Sequence, residues 1–321
     1  MDISPSVYEH AAALIGRTPW EVSRDPELLY AAHAEAYRIY QHTPIMPGID
    51  IYNLEAEAYG GVIDKPDGIG IPAISRPRCH SAADLLDLPP LNPRTDGRIP
   101  LAIRVAAKLA RAFPETQVRV PVSGPFSIAS NLVGFENLLC DVALDPELVG
   151  RALMHLVPGQ IAFAEEIKTH GVDVAFFESA ACPPLLAPAM FRQIELPALN
   201  AIIGGMARVL GHPVPCIIGG DTTPILDAML ETGTGYVVAP YETDQAAFMK
   251  KIWHRTDIRV RVNSHVEIIS RGTWDMIKAD ADRIIQLVRG RPNVCLGTGA
   301  LPYETPPQNV LRLRDYVREK D

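Results

Sequence analysis

The chain has 321 residues, 47% hydrophobic and 21% charged, with a formal net charge of −8. That composition suits a globular protein with a sizeable core. The acidic balance disfavours nucleic acid as a partner, because a phosphate backbone calls for a cationic face. No apolar run approaches the ~20 residues that span a bilayer, and the N-terminus MDISPSVYEH lacks the pattern of a secretory leader. Five scattered cysteines (Cys79, Cys140, Cys182, Cys216 and Cys295) offer neither a disulfide framework nor a C-x-x-C pair. A reduced cytoplasm is the expected compartment.

Residues 1–42 read as a helical N-terminal extension, with Asp25-Pro26 opening the run ELLYAAHAEAYRIYQ. A strand is expected near Pro44 to Asp50. Residues 60–100, rich in Gly, Pro and Asp, read as loops with a short hairpin. From residue 100 the pattern becomes regular. LAIRVAAKLARAF predicts a helix and VRVPV a strand. A long helix from Asp145-Pro146 to Gly171 precedes the strand VDVAFF. The helix ending at Gly211 precedes VPCII, and TPILDAMLETG precedes YVVAP. TDQAAFMKKIWHRT precedes IRVRV, and WDMIKADADRIIQLVRG precedes NVCLG. VLRLRDYVREK is the last helix.

Strands alternating with helices imply parallel strands covered on the outside. No Gly-rich phosphate turn follows the first strand, as an open nucleotide-binding sheet would show. The pattern therefore predicts an α/β fold, a (β/α)8 TIM barrel, as a single domain over 1–321 with the N-terminal helices at about 1–42.

In such a barrel the chemistry lies at the C-terminal ends of the strands. Those ends offer Asp50, Tyr52 and Asn53, then Ser123, Glu178, Asp221, Tyr241, Asn263, His265, Thr298 and Tyr303. The Gly297-Thr298-Gly299 stretch reads as the last strand-to-helix loop, lining the barrel mouth. Glu178, straight after VAFF, reads as a rim carboxylate. Asp221 also suits a helix cap, His265 a hydrogen-bonded core histidine, and Glu304 the N-terminus of the last helix. Cys216 and Cys295 fall inside strands and suit inert core thiols; the adjacent Cys79-His80 is an unsuitable metal pair. The set is rich in carboxylates, phenols and amides and poor in Lys and Arg. It suits proton transfer, a metal or a cationic group better than a polyanion.

The segments GPFSIASNLVGFENLLCDVALDPELVGRAL, FFESAACPPLLAPAMFRQIELPAL, IIGGDTTPILDAMLETG and LGTGALPYETPPQNVLRLRDYV resemble the uroporphyrinogen decarboxylase superfamily. DIYNLEAEAYGG resembles its methyltransferase branch, which includes enzymes that move methyl groups between corrinoid proteins and coenzyme M. The resemblance covers most of residues 40–317 and implies a (β/α)8 barrel. The decarboxylase pattern itself is broken. The Arg-rich RQAGR-type segment is missing, and Thr298 stands where the decarboxylase turn has His. The thiol methyltransferases hold zinc with a His-x-Cys-Gly element and a later Cys. Alignment on the neighbouring motifs places Ile217, Gly219 and Gly299 at those three positions, so a thiol-type zinc site is doubtful and no metal ligands are assigned.

The resemblance thus implies a methyltransferase acting between a small molecule, or a methyl carrier, and the corrinoid (cobalamin) of a partner protein, with a homodimer admitted. Acid catalysis would replace zinc, with Glu178 and Asp221 as acids and Asn263 and His265 positioning the substrate. Asp50, Tyr52, Asn53, Ser123, Tyr241, Thr298 and Tyr303 would complete the substrate site. Two alternatives stay open: a lyase acting on a smaller carboxylic acid, with an anion site near Arg261 or Arg259, and a non-catalytic barrel that binds a corrinoid protein.

Overall fold

Seven strands carry the wall of the structure, a computed structural model that describes residues 1–320. They are β1 (Asp2–Ser6), β2 (Arg119–Ser123), β3 (Asp173–Phe177), β4 (Cys216–Ile217), β5 (Tyr236–Ala239), β6 (Arg259–Ser264) and β7 (Val294–Ala300). All paired neighbours run parallel, in the orders β1-β7-β6-β5 and β2-β3-β4. A bridge from Pro215 to Tyr236 links the two groups, and one from Ile45 to Val118 adds an eighth stave beside β2. The architecture is a TIM barrel, with helices between successive strands.

The N-terminus differs from the all-helical expectation. Residues 2–6 form β1, which pairs with β7 from Asp2 opposite Cys295 to Ser6 opposite Ala300. The segment DISPS has one apolar side chain and a proline, so it lacks the apolar run that marks a buried strand. Its pairing partner lies almost 300 positions away in sequence, where no local pattern points to it. The helices Tyr8–Leu14, Pro19–Arg24 and Pro26–Tyr40 follow as expected. Asp25 caps the third by accepting from the amides of Glu27 and Leu28, with Pro26 in the first turn, where it loses no helical hydrogen bond.

The stave expected over Pro44 to Asp50 is reduced to Ile45, whose amide donates to Gln117 and whose carbonyl accepts from Arg119. Pro44 and Pro47 have no N–H to extend the ladder. The hairpin expected in 60–100 is a single antiparallel bridge between Val62 and Arg76.

Alternation along each strand divides the core. Val174, Phe176, Cys216, Val237, Val260 and Leu296 pack outward into the large cluster shared with the helices. Ala175, Phe177, Ile217 and Val238 point inward and form a second cluster with Tyr8, Met46 and Ile51. The same parity governs the end of β7. Gly297-Thr298-Gly299 is not a loop but the continuation of the strand, which runs to Ala300. Thr298 takes the outward position, fully buried, and its Oγ1 accepts the Ser6 amide at 3.0 Å.

That bond ties β1 to the barrel where their register shifts. Replacing Thr298 with the near-isosteric Val strands a buried amide donor, so Thr298→Val is expected to lose about 1–3 kcal/mol of stability in urea unfolding. Unchanged stability would mean that β1 is held without it.

Candidate active site

Above the inner cluster a cavity of about 460 Å³ opens at the C-terminal ends of the strands. Its wall is largely apolar, with Ile49, Ile51, Ile71, Phe177, Ile217 and Val238 among its residues. Polar groups enter from Ser6, Tyr8, Glu9, Asp50, Tyr52, Asn53, Ser179, Glu242, Arg261 and Asn263. An apolar pocket with a few convergent polar groups is the usual form of a small-molecule site.

The deep end is built by β6. In RVRVNS, Val260 and Val262 face the helices, so Arg261 and Asn263 face the barrel interior, Arg261 one layer below Asn263. Both side chains are nearly fully buried. Arg261 makes one long hydrogen bond, Nη1 to Ser6 Oγ at 3.4 Å, and its Nε meets no acceptor. The Tyr8 hydroxyl and Asn263 Oδ1 are likewise buried without partners. Gly297 makes the arrangement fit: a Cβ there would lie 2.5 Å from Arg261 Cγ and 2.5 Å from Asn263 Oδ1. Burial pushes the Tyr8 phenol far above its ordinary range and that of Tyr52 up to about 12, so both stay protonated donors at neutral pH. A single arginine sets this end apart from the cation-poor mouth read from the sequence.

Three carboxylates line the remainder of the cavity, and their surroundings differ. Both oxygens of Asp50 are held by Arg98, at 2.9 and 2.6 Å, and Arg98 also binds Glu57 Oε2 at 2.5 Å. Glu242 is exposed to solvent. Glu9, in the first turn of the helix Tyr8–Leu14, is buried, and that burial holds its carboxyl above the usual range.

Of the residues expected at the site, Asp50, Tyr52, Asn53 and Asn263 line the cavity. Tyr52 hydrogen-bonds Ser179 at 2.5 Å, and Asn53 donates to the Pro72 carbonyl at 2.7 Å. The others do not line it. Glu178 is fully buried on the outer side of the wall, because Phe177 points inward and the next residue must point outward. Thr298 is outward for the same reason. Ser123 donates its hydroxyl to the Ile51 carbonyl and its amide to Glu55. Asp221 accepts the Thr223 amide at 3.3 Å. His265 caps a helix by accepting the Glu267 amide, while its ring lies against Tyr241, tilted by 34° with centroids 3.6 Å apart. Tyr303 donates to the Arg17 carbonyl. Sequence reasoning missed Tyr8, Glu9 and Ser179 at the cavity and named Arg261 only for the lyase alternative; the period-two pattern of RVRVN is the signal that places Arg261 inside.

The uroporphyrinogen decarboxylase (URO-D) family model matches residues 5–320. The chain belongs to the URO-D family. A methylated-thiol–coenzyme M methyltransferase of Methanosarcina mazei is 23% identical, over 92% of this chain and 76% of that protein. A methylcobamide:CoM methyltransferase of Methanosarcina barkeri is 28% identical, over 67% of this chain and 62% of that protein. A solved methyltransferase from Methanosarcina mazei superposes with a TM-score of 0.82 at 20% identity, covering 99% of this chain and 94% of that one, and so shares the fold. Within the URO-D family the chain is a methyltransferase, and methyl transfer is its reaction class.

The URO-D chain does not fit a thiol-type zinc ion. Ile217, Gly219 and Gly299, the three positions aligned with zinc ligands, all line the cavity, and none carries a ligating side-chain atom. Among the described residues no group of three His, Cys, Asp or Glu side chains is arranged to hold a metal.

Behind the wall of this URO-D barrel, Glu178 serves the helix Pro125–Val133. Its Oε2 accepts the amides of Phe126 and Ser127 at 3.1 and 3.2 Å, and Oε1 accepts the Ser127 hydroxyl at 2.5 Å. The Glu195 carboxyl meets no other donor and faces Glu178. Two buried carboxyls in contact share a proton. Burial pushes Glu178 up to about 7, and burial together with the Glu178 charge pushes Glu195 well above the usual range, so the pair favours a protonated state.

Both shifts are upward, so the folded state keeps protons that the unfolded chain releases. The pair's stabilisation is complete below pH 4.5, the ordinary carboxyl value, and is lost as pH rises through about 7. Glu195→Gln keeps the shape of the side chain and never ionises. Melting temperatures should therefore fall less between pH 5 and pH 8 for Glu195→Gln than for the parent, and the variant should melt higher at pH 8. An unaltered pH profile would show that the pair does not share a proton.

Proposed function

We propose that this chain moves a methyl group between a small molecule held in the barrel mouth and a corrinoid carried by a separate protein, without a zinc-bound thiolate. The observation that carries the second half of this reading is the cavity wall at Ile217, Gly219 and Gly299, which offers no ligand where the thiol-activating relatives of the resemblance hold zinc. Membership of the family and the names of the curated relatives support the first half. The rim adds to it. Ile71 on the cavity wall and Tyr241 beside Pro240 and Glu242 keep exposed apolar surface around the opening, as a face that receives another protein would.

Reduced corrinoid cobalt on the partner would supply the nucleophile that accepts the methyl group. This chain's part is to hold the donor, exclude water and provide a proton. As the carbon–heteroatom bond breaks, its electron pair stays on the heteroatom, which a nearby acid neutralises. Asp50 is committed to Arg98 and Glu242 is exposed. Glu9 is the cavity carboxyl that burial biases towards the protonated form, and it takes the acid role in place of Glu178 and Asp221. Apolar walls strengthen such a proton donation by keeping water out. A second reading, a lyase acting on a small carboxylic acid, draws on the buried Arg261 and differs in needing no corrinoid partner.

The test is methyl transfer measured with a corrinoid protein and candidate ether and amine donors. Glu9→Gln should lower the rate by roughly 10²–10⁴-fold, the usual contribution of a general acid, while the thermal melt changes little. In the parent the rate should decline as pH rises through the Glu9 pKa, because the acid form is lost, and this decline should vanish in Glu9→Gln. Near-normal transfer by the variant would remove Glu9 from the mechanism, and turnover without any corrinoid would favour the lyase.

A further inference from the structure

The deep end of the cavity holds a positive charge with nothing to balance it. Arg261 is 4% exposed, yet no carboxylate lies within ion-pair distance of it among the described residues, and its one hydrogen bond, to Ser6, is 3.4 Å long. The contrast with the other arginines of β6 and the mouth is sharp. Arg259 pairs with Asp2 at 3.0 Å, and Arg98 is bound by Asp50 and Glu57. A buried guanidinium is costly unless it is paired and its hydrogens are taken up. Two further polar atoms beside it are also unused, the Tyr8 hydroxyl and Asn263 Oδ1. The chain gives up a side chain at Gly297 to make room for this group, so the arginine is built in, not left over.

We infer that Arg261 and Tyr8 form the recognition end for the anionic head of the substrate, and that the substrate is a small monoanion, a carboxylate or sulfonate, which enters head first and leaves its methyl-bearing end near Glu9 and the mouth. The inference rests on the methyl-transfer reading for what lies at the mouth, but not for the anion site itself. A single negative charge follows from the inventory: among the described residues Arg261 is the one cation on the cavity wall, Asp50 is already taken up by Arg98, and the exposed Glu242 at the mouth repels a second anionic group. Guanidinium and phenol both donate, which matches an oxyanion that only accepts. The Asn263 carbonyl, one layer nearer the mouth, is free to accept from a hydroxyl or N–H on the substrate's body.

Isothermal titration of the protein alone, with no corrinoid or methyl acceptor, tests this. The probes are methoxyacetate, its neutral isostere methoxyacetamide, and ethanesulfonate, in chloride-free buffer. The anions should bind saturably and the amide should not. Arg261→Gln should weaken the anions about tenfold or more, and Tyr8→Phe by a smaller factor, as the loss of a charge-assisted and a neutral donor respectively predicts. Since the guanidinium has no carboxylate partner and only one long hydrogen bond, Arg261→Gln should melt no lower than the parent. If that variant fails to fold, Gly297→Ala, which must push the Arg261 side chain aside, takes its place and should weaken the anions likewise. Equal affinity for methoxyacetamide, anion binding that survives Arg261→Gln, or no anion binding at millimolar concentration overturns the inference. Anion binding without any methyl transfer would instead sink the proposed function and leave this site standing.

Discussion

An unpaired guanidinium inside a barrel organises most of what surrounds it. Arg261 needs an inward position on β6, the space left by Gly297 on β7 (which stands opposite Asn263), and a phenol and an amide nearby that can share its hydrogen bonding. The apolar wall above it raises the cost of leaving the charge uncompensated. The cavity thereby acquires a direction, with an anion-seeking end in the depth and a carboxyl-bearing end at the opening. The −8 net charge of the chain reinforces that direction, since the surface gives a small anion no reason to linger elsewhere.

The carboxylates sort into two sets by the side of the wall on which they stand. Inside are Glu9, Asp50 and Glu242, which face the cavity. Outside, Glu178 holds the start of the helix Pro125–Val133, and Glu195 is buried beside it with its carboxyl held well above the usual range. Asp221 and His265 do similar work at two other loop-to-helix junctions, where free amides need acceptors. These outer groups position the loops of the mouth without touching what the mouth holds. Asp50 belongs to both sets: it lines the cavity, and its pairing with Arg98 ties the segment after the Ile45 stave to the helix Ile99–Ala112.

Much of this was legible in the sequence. The alternation of apolar strands with helices predicts the barrel, and the strands from VRVPV to NVCLG fall where the pattern places them. The strand formed by DISPS was not legible, because its hydrogen-bond partner is at the far end of the chain and its own composition has no strand character. The site was legible in part. Reading strand ends names loops that reach the cavity, where Asp50, Tyr52, Asn53 and Asn263 stand. Choosing among adjacent residues requires parity, which an unbroken apolar run such as VAFF conceals and a mixed run such as RVRVN displays. Glu178 and Arg261 are the two outcomes of that difference, one placed inside by expectation and found outside, the other visible as inward-facing only once the valines are assigned to the helix side. Glu9 carries no strand signal at all: it sits in a helix that follows a strand the pattern did not reveal.

The proposed chemistry depends on the direction of the cavity. A crystal structure with methylselenoacetate, whose selenium marks the methyl-bearing atom by anomalous scattering, tests it most directly. The carboxylate should lie within hydrogen-bond distance of Arg261, with the selenium displaced towards Glu9 and the opening. A carboxylate at the mouth with the selenium in the depth, or a cavity that stays empty at saturating concentration, would contradict it.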